Sequence, residues 1–456
     1  MILSKRLIAI SGSLIVCCSA LGAANSSEFT GRWEVTTTYP GGSFVAGLNL
    51  AVDKNGYRGR SGYLVPDDDL YTYAGAMQKD KLQLQIFDGK TAIGSLVLRV
   101  NGDILSGDGV LKDVPIKLVG RRPVRRPSDT STVHNFVPTM YYRTFSAANP
   151  PALHIFPGDT VRTKTLDAAG GGEGAGRDSL PGNPQTGPFY IEGAMIGDTI
   201  AVHFNKIRPN RDTAFQRRAR LDPRVLPAGY TQQQAPREWS DIWILDRKHG
   251  TATPANPSDS IKGLVIKLNP MLGCVSVAPY WNQGIETEHL GSFGGNMDYN
   301  QIREGTTLYL PVYQAGALLT IGDGHAFQAD GEITGQGLET SMDVEFTVDL
   351  IPDQFIDQVW AESDDYIMVS GIGGSLNEAL QIANAGISNW LKAFYRLNSA
   401  EIATVLAASI HYDIAEVVDP EVHVVAKLGK AVLMQIPKPK NPSTVFCRPL
   451  SGCAAD

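Results

Sequence analysis

The chain has 456 residues, with 40 Lys and Arg against 47 Asp and Glu, a formal net charge of −7. Hydrophobic residues at 43% and charged residues at 19% make most of it globular rather than disordered, and a length of this order predicts roughly two to three domains. Mild acidity speaks against a nucleic-acid binder, which needs a basic face, and no internal apolar stretch reaches the ~18 residues that span a bilayer.

Residues 1–24 read as a secretory signal. Lys5 and Arg6 precede an apolar run from Leu7 to Cys18, and the small residues Gly22, Ala23 and Ala24 supply a cleavage site. The expected location is periplasmic or secreted. Of the five cysteines, Cys274, Cys447 and Cys453 would remain after cleavage. The tail, 443–456, permits a small Cys447–Cys453 loop in an oxidising compartment. Cys274, in the apolar run Met271–Val277, reads as a core thiol.

Residues 27–120 predict a small all-β domain. Arg32 to Thr38, Leu82 to Phe87 and Ser95 to Val100 alternate in polarity, and Asn55-Gly56, Asp88-Gly89 and Asn101-Gly102 are hairpin signals. No His falls in this stretch, and Asp67–Asp69 reads as a loop. A linker follows at 121–131, with Arg121, Arg122, Arg125 and Arg126 among prolines.

Residues 132–442 predict one continuous catalytic region. Thr199 to Ile207 alternates, with Ile200, Val202 and Phe204 on one face and His203 on the other; Val344 to Leu350 does the same. Leu308 to Ile321 reads as one apolar strand. Near 375 the period becomes helical: Ser375 and Glu378 cap a stripe from Leu376 to Phe394, and Asn398 caps a second helix through Val405. Val417 to Val425 reads as a final strand. The predicted class is a β-rich α+β fold: a β-sandwich core with a C-terminal helical α+β part, preceded by a small all-β domain.

The densest polar cluster is Gly322 to Glu332, holding Asp323, His325, Gln328, Asp330 and Glu332 within one turn-rich segment. Asp323 and His325 share a face of extended chain, and His with carboxylates suits a divalent metal. A second loop carries His289, Asn296 and Asp298, a third Asp167, and a fourth Glu192. His203 is the second candidate imidazole ligand, while His134, His154 and His249 read as solvated or structural and His411 and His423 as packed. No Gly-x-Ser-x-Gly, dinucleotide or Walker loop appears in the mature chain.

The run Asn183-Pro-Gln-Thr-Gly-Pro-Phe-Tyr-Ile-Glu-Gly-Ala-Met-Ile-Gly-Asp198 resembles a signature of the acetamidase/formamidase family. So do Gly294–Asp298, Leu310–Val312 and Gly322–Glu332 followed by Glu339. The resemblance covers roughly 132–430 and leaves out the N-terminal β unit and the tail. It implies hydrolysis of short amides in a β-rich, metal-binding fold. Carried over by position, it offers Asp167, His325 and one of the acids Asp323, Asp330 or Glu332 for the metal, and Glu192, Asn296 and Asp298 as the lining of the candidate site; His203 joins the metal candidates on its strand position alone. Glu332 or Glu192 would serve as base and acid, and Asn296 as oxyanion donor. Zinc is the expected metal and calcium the alternative. The partners expected are a small amide and further copies of the chain. Ala329 departs from the glycine usual in the motif. Two other readings remain open: hydrolysis of another C–N bond, in a ureide or larger amide, and a non-catalytic exported binding protein with a structural metal.

Overall fold

The computed structural model describes residues 28–62, 71–174, 176–216, 220–233 and 241–438. The signal segment, the Asp67–Asp69 loop and the Cys447–Cys453 tail lie outside these residues. Among the described residues no helix is long and apolar enough to cross a membrane.

The N-terminal unit is a closed barrel of eight strands in sequence order, from Gly31–Tyr39 to Val114–Arg121. Each strand pairs antiparallel with the next, and the first closes on the last, Val35 facing Gly120. Alternation decides which side chains turn inward. Trp33, Leu48, Leu50, Leu82, Leu98 and Leu105 fill the interior, leaving a cavity of only about 20 Å³. The barrel is therefore packed rather than hollow. Trp33 donates its indole N–H to the Phe29 carbonyl at 2.9 Å, and the Arg122 guanidinium lies 4.0 Å above its ring.

Beyond residue 130 two large sheets share one hydrophobic core. The nine-stranded sheet runs, in spatial order, Ile410–Glu416, Val422–Gly429, Tyr366–Gly373, Trp360–Glu362, Thr307–Pro311, Thr199–Pro209, Met342–Ile351, Thr160–Thr165 and Val133–Asn135. The six-stranded sheet runs Leu153–Ile155, Thr186–Ile191, Leu319–His325, Met271–Ser276, Gly294–Asn296 and Leu290–Gly291. Ile200, Val202, Phe204 and Phe346 of the first pack in one cluster with Leu272, Leu319 and Ile321 of the second. The helix Leu376–Tyr395 covers the larger sheet through Ala383, Ile387, Trp390 and Leu391.

The fold is β-rich with a helical C-terminal part and an all-β N-terminal unit, as the sequence pattern predicts. Some boundaries differ. The apolar run 308–321 is two strands in different sheets, because the chain reverses through Gly316, Ala317 and Leu318, all at positive φ. The second helix extends to Ser409. The last strand is Val422–Gly429, preceded by Ile410–Glu416, so 417–421 is a turn between two strands rather than the start of one.

The arginines around the linker are engaged. Arg126 donates to Asp159, whose carboxylate also meets His134 and the Thr132 and Phe156 amides. The barrel is clamped to the larger unit by Arg32, which pairs with Asp198; that carboxylate also accepts from the Met195 and Asp353 amides. Asn49 donates to Asp353 at 2.7 Å. Asp198 is buried, and burial raises its pKa while Arg32 opposes the rise. Removing one partner of such a pair leaves the other desolvated. Asp198→Ala should therefore lower the unfolding free energy by about 3 kcal/mol, measured by chemical denaturation; a loss near zero would show that the clamp contributes nothing.

Candidate functional site

Two strands of the six-stranded sheet and the loops at their ends bring the polar residues together. Strand Leu319–His325 is buried throughout and carries Asp323 and His325. Strand Gly294–Asn296 leads directly into Asp298. The loop after His325 brings Gln328, Glu332 and Glu339, and the 417–421 turn brings Asp419.

One imidazole and five carboxylates converge: His325 with Asp298, Asp323, Glu332, Glu339 and Asp419. They form three overlapping triads, Asp298/Asp323/His325, His325/Glu332/Glu339 and Asp298/Glu332/Asp419, with ligand atoms within 4.8 Å of one another in each. His325 Nδ1 lies 2.8 Å from Gln328 Oε1. Gln328 in turn donates to the Asp298 carbonyl. Since an amide oxygen only accepts, Nδ1 carries the proton and Nε2 points its remaining valence at the carboxylates; a hydrogen-bond acceptor on the other ring nitrogen orients metal-bound histidines in the same way. Nε2 is 3.1 Å from Glu339 Oε1 and 3.5 Å from Asp323 Oδ2. Neither contact has hydrogen-bond geometry. Nε2, Asp298 Oδ1, Asp323 Oδ1 and Glu339 Oε2 are buried without a hydrogen-bond partner.

The backbone is bent to achieve this. Asn183, Asp298, Asp323 and Glu332 sit at φ of 42°, 40°, 53° and 45°, a region costly for residues with a Cβ and typical of functional sites. Glycines clear the space. A Cβ on Gly273 would strike the Asp298 and Asp323 carboxylates, and one on Gly337 would lie 2.6 Å from His325 Nδ1.

Electrostatics follow from burial. Burial raises the Asp298 and Glu332 carboxyls well above their ordinary range, and neighbouring carboxylates add to the rise. Glu339 is pushed up to about 7, chiefly by burial, with His325 opposing. Asp419 reaches about 6 by burial, against the Asn296 hydrogen bond. Glu416, behind Asp419, reaches about 8, by burial and Asp419 repulsion. Burial alone would lower His325, but Glu339 and Asp323 outweigh it and hold it well above its usual value. His423 is lowered by burial to about 4 and is neutral, donating Nδ1–H to the Met297 carbonyl at 2.7 Å. A buried group of carboxyls in this state binds either protons or a cation.

Several sequence candidates sit elsewhere. His203 is exposed, 2.9 Å from Thr307 Oγ1, because the face opposite Ile200 and Val202 is the outer one. Glu192 hydrogen-bonds His154 at 2.7 Å and is not among the converging residues. Asp330 is exposed and accepts from Asn300. Asp167 is buried nearby, but Arg211 and the Ala169 and Gly171 amides occupy its oxygens. Asn296 is central, yet its amide donates to Asp298 and Asp419, and its oxygen accepts from Asn183 and Cys274. With both N–H bonds committed, it organises carboxylates and has no donor left for an oxyanion. Cys274 is free and buried beneath it. Sequence spacing does not single out Asp419, Glu416 or the orienting role of Gln328; the acids at 416, 419 and 421 beside an apolar strand are the signal it carries for them.

Residues 282–388 match the Acetamidase/Formamidase family model. The chain is 23% identical over 257 residues to a formamidase of Methylophilus methylotrophus, an alignment covering 45% of this chain and 62% of that protein. It thus spans less than two thirds of that curated relative. An acetamidase structure from Yersinia enterocolitica superposes with a TM-score of 0.58 at 27% identity, covering 68% of this chain and 96% of the other. The predicted acetamidase/formamidase of Thermoanaerobacter tengcongensis gives 0.58 at 25% identity, covering 67% and 99%. Over these residues the chain is similar to proteins of the acetamidase/formamidase family.

The raised carboxyls set a pH dependence. Protein stripped by chelator holds protons on Glu339, Asp419 and Glu416 that the unfolded chain releases, so their stabilising contribution is full at low pH and lost as pH rises through about 6 to 8. Denaturant midpoints of stripped protein should fall between about pH 5.5 and about pH 8, and saturating divalent cation should flatten that slope. A stripped protein more stable at the higher pH would contradict the assignment.

Proposed function

We propose that the protein is an exported, metal-dependent amidase that hydrolyses short linear amides to a carboxylate and ammonia. One observation carries this: a buried imidazole, oriented by Gln328, faces carboxylates whose inward atoms lack hydrogen-bond partners. The family relationship and the formamidase and acetamidase names of its relatives supply the reaction class. The basic and then apolar start of the chain supports export, and we read the two large sheets as the layers of a β-sandwich.

The donor set fits a divalent cation, zinc before calcium because an imidazole takes part. His325 Nε2 with Glu339 and Asp323 would hold it, and Asp298, Glu332 and Asp419 form the adjoining carboxylate wall. A cation bound there supplies a polarised amide carbonyl and a more acidic water. The chain's own residues then move the protons. Glu332, buried and raised, is the proposed base: it takes a proton from water as the water oxygen attacks the carbonyl carbon. It returns that proton to nitrogen as the C–N bond breaks, so amide and water leave as carboxylic acid and ammonia. Asn296 keeps Asp298 and Asp419 in register, and Gln328 keeps His325 in the required tautomer.

A binding protein with a structural metal remains the second reading, since the same donors would serve it. Ammonia release from formamide, acetamide and longer amides, before and after chelation and with elemental analysis, separates the two. Catalysis predicts chelator-sensitive release and a loss in kcat/KM for His325→Ala greater than the ~10- to 100-fold that outer partners of a metal site cost. Near-wild-type turnover in folded His325→Ala would overturn the site; bound metal with no turnover on any amide would favour the binding reading.

A further inference from the structure

Glu416 belongs to none of the converging triads, yet it is completely buried. It ends strand Ile410–Glu416, opposite His423, where the register slips after Ile414. Beyond it the chain turns, and the turn's amides lose their ladder partners. Glu416 replaces them: its Oε2 accepts from the Val418 amide at 2.9 Å and the Asp419 amide at 2.8 Å. From the other side Arg224 donates to the Val418 and Asp419 carbonyls. The turn is thus held by a carboxylate on its N–H groups and a guanidinium on its C=O groups, and Asp419 projects towards Asn296, Asp298 and Glu332.

The same segment holds the loop that carries Glu332. The Gly331 amide donates to the Ile414 and Ala415 carbonyls at 2.8 and 3.1 Å, and Val417 returns a bond to the Gly331 carbonyl at 3.3 Å. Two members of the Asp298/Glu332/Asp419 triad therefore depend on residues 414–419.

We propose that Glu416 is a positioning residue. By fixing the turn that presents Asp419, it sets the affinity of the carboxylate wall for a divalent cation and the rate that depends on it. This rests on the reading of the site given above. Glu416 makes no contact with substrate; it acts through Asp419.

The test is Zn²⁺ titration of full-length protein by calorimetry, with amidase kcat/KM on the same samples. Glu416→Gln keeps an oxygen that accepts both amides, so its affinity should stay within about threefold of wild type. Glu416→Leu should weaken Zn²⁺ at least ~10-fold, the scale of a lost outer partner, with the circular dichroism of wild type. Asp419→Ala should show a similar loss, and adding Glu416→Leu to it should cost little more, since two residues acting as a unit are not additive. If Glu416→Leu does not fold, Glu416→Asp, one methylene too short to hold the turn in place, should weaken Zn²⁺ relative to Glu416→Gln. Wild-type affinity in Glu416→Leu or Glu416→Asp, or full additivity with Asp419→Ala, would overturn the assignment. Wild-type protein that binds no Zn²⁺ and releases no ammonia would overturn the amidase reading and this one with it; wild type that does both, with indifferent Glu416 variants, would overturn this one alone.

Discussion

Five carboxylates packed around one imidazole, all but the half-buried Asp419 taken out of solvent, is the constraint from which the rest of the larger unit follows. Like charges at these distances in a medium of low dielectric cannot all stand ionised without a compensating cation or bound protons. Surrounding residues reduce that burden where they can. Asn296 spans Asp298 and Asp419 with its two N–H bonds, and Asn183 and Cys274 fix Asn296 from behind. Arg211 neutralises Asp167 before it adds to the total. What they leave uncompensated is the inward edge of the cluster, where ligand chemistry would take place.

The fold provides the rigidity this needs. His325 and Asp323 come from a strand buried on both sides, and Asp298 from the turn beside its neighbour. Loops alone would relax away from mutual repulsion. A sheet pinned in a core containing Phe189, Phe204, Phe346 and Leu319 does not. The barrel is a separate packing solution. It is closed and filled, and among the described residues it meets the rest through contacts that include the part-buried pairs Arg32 with Asp198 and Asn49 with Asp353.

Much of this was legible in the sequence, and the reasons for the misses are specific. Asp323 and His325 were found because glycines flank them and spacing by two puts them on one face. Alternation puts His203 on the face away from Ile200, but period two does not say which face meets the polar loops, and that face is the exposed one. Glu192 lies in a motif-bearing segment, yet its strand delivers it to His154 rather than to the cluster. Asp419 lies about ninety residues from His325 in the chain, and only tertiary pairing between Gly331 and Glu416 closes that gap. Asn296 lies beside the carboxylates with both amide hydrogens bonded to Asp298 and Asp419, and a sequence does not show which of an amide's hydrogens are already spoken for.

The left-handed backbone at Asp298, Asp323 and Glu332 bears on how such a protein changes over generations. Glycine would adopt those angles at no steric cost and would remove a buried acid at the same stroke. Folding alone would therefore favour losing each of these side chains. A lineage that no longer needs these buried acids should drift towards glycine there, gaining robustness as it loses them. Laboratory selection for heat tolerance alone would push the same way, discarding the site first and the scaffold last.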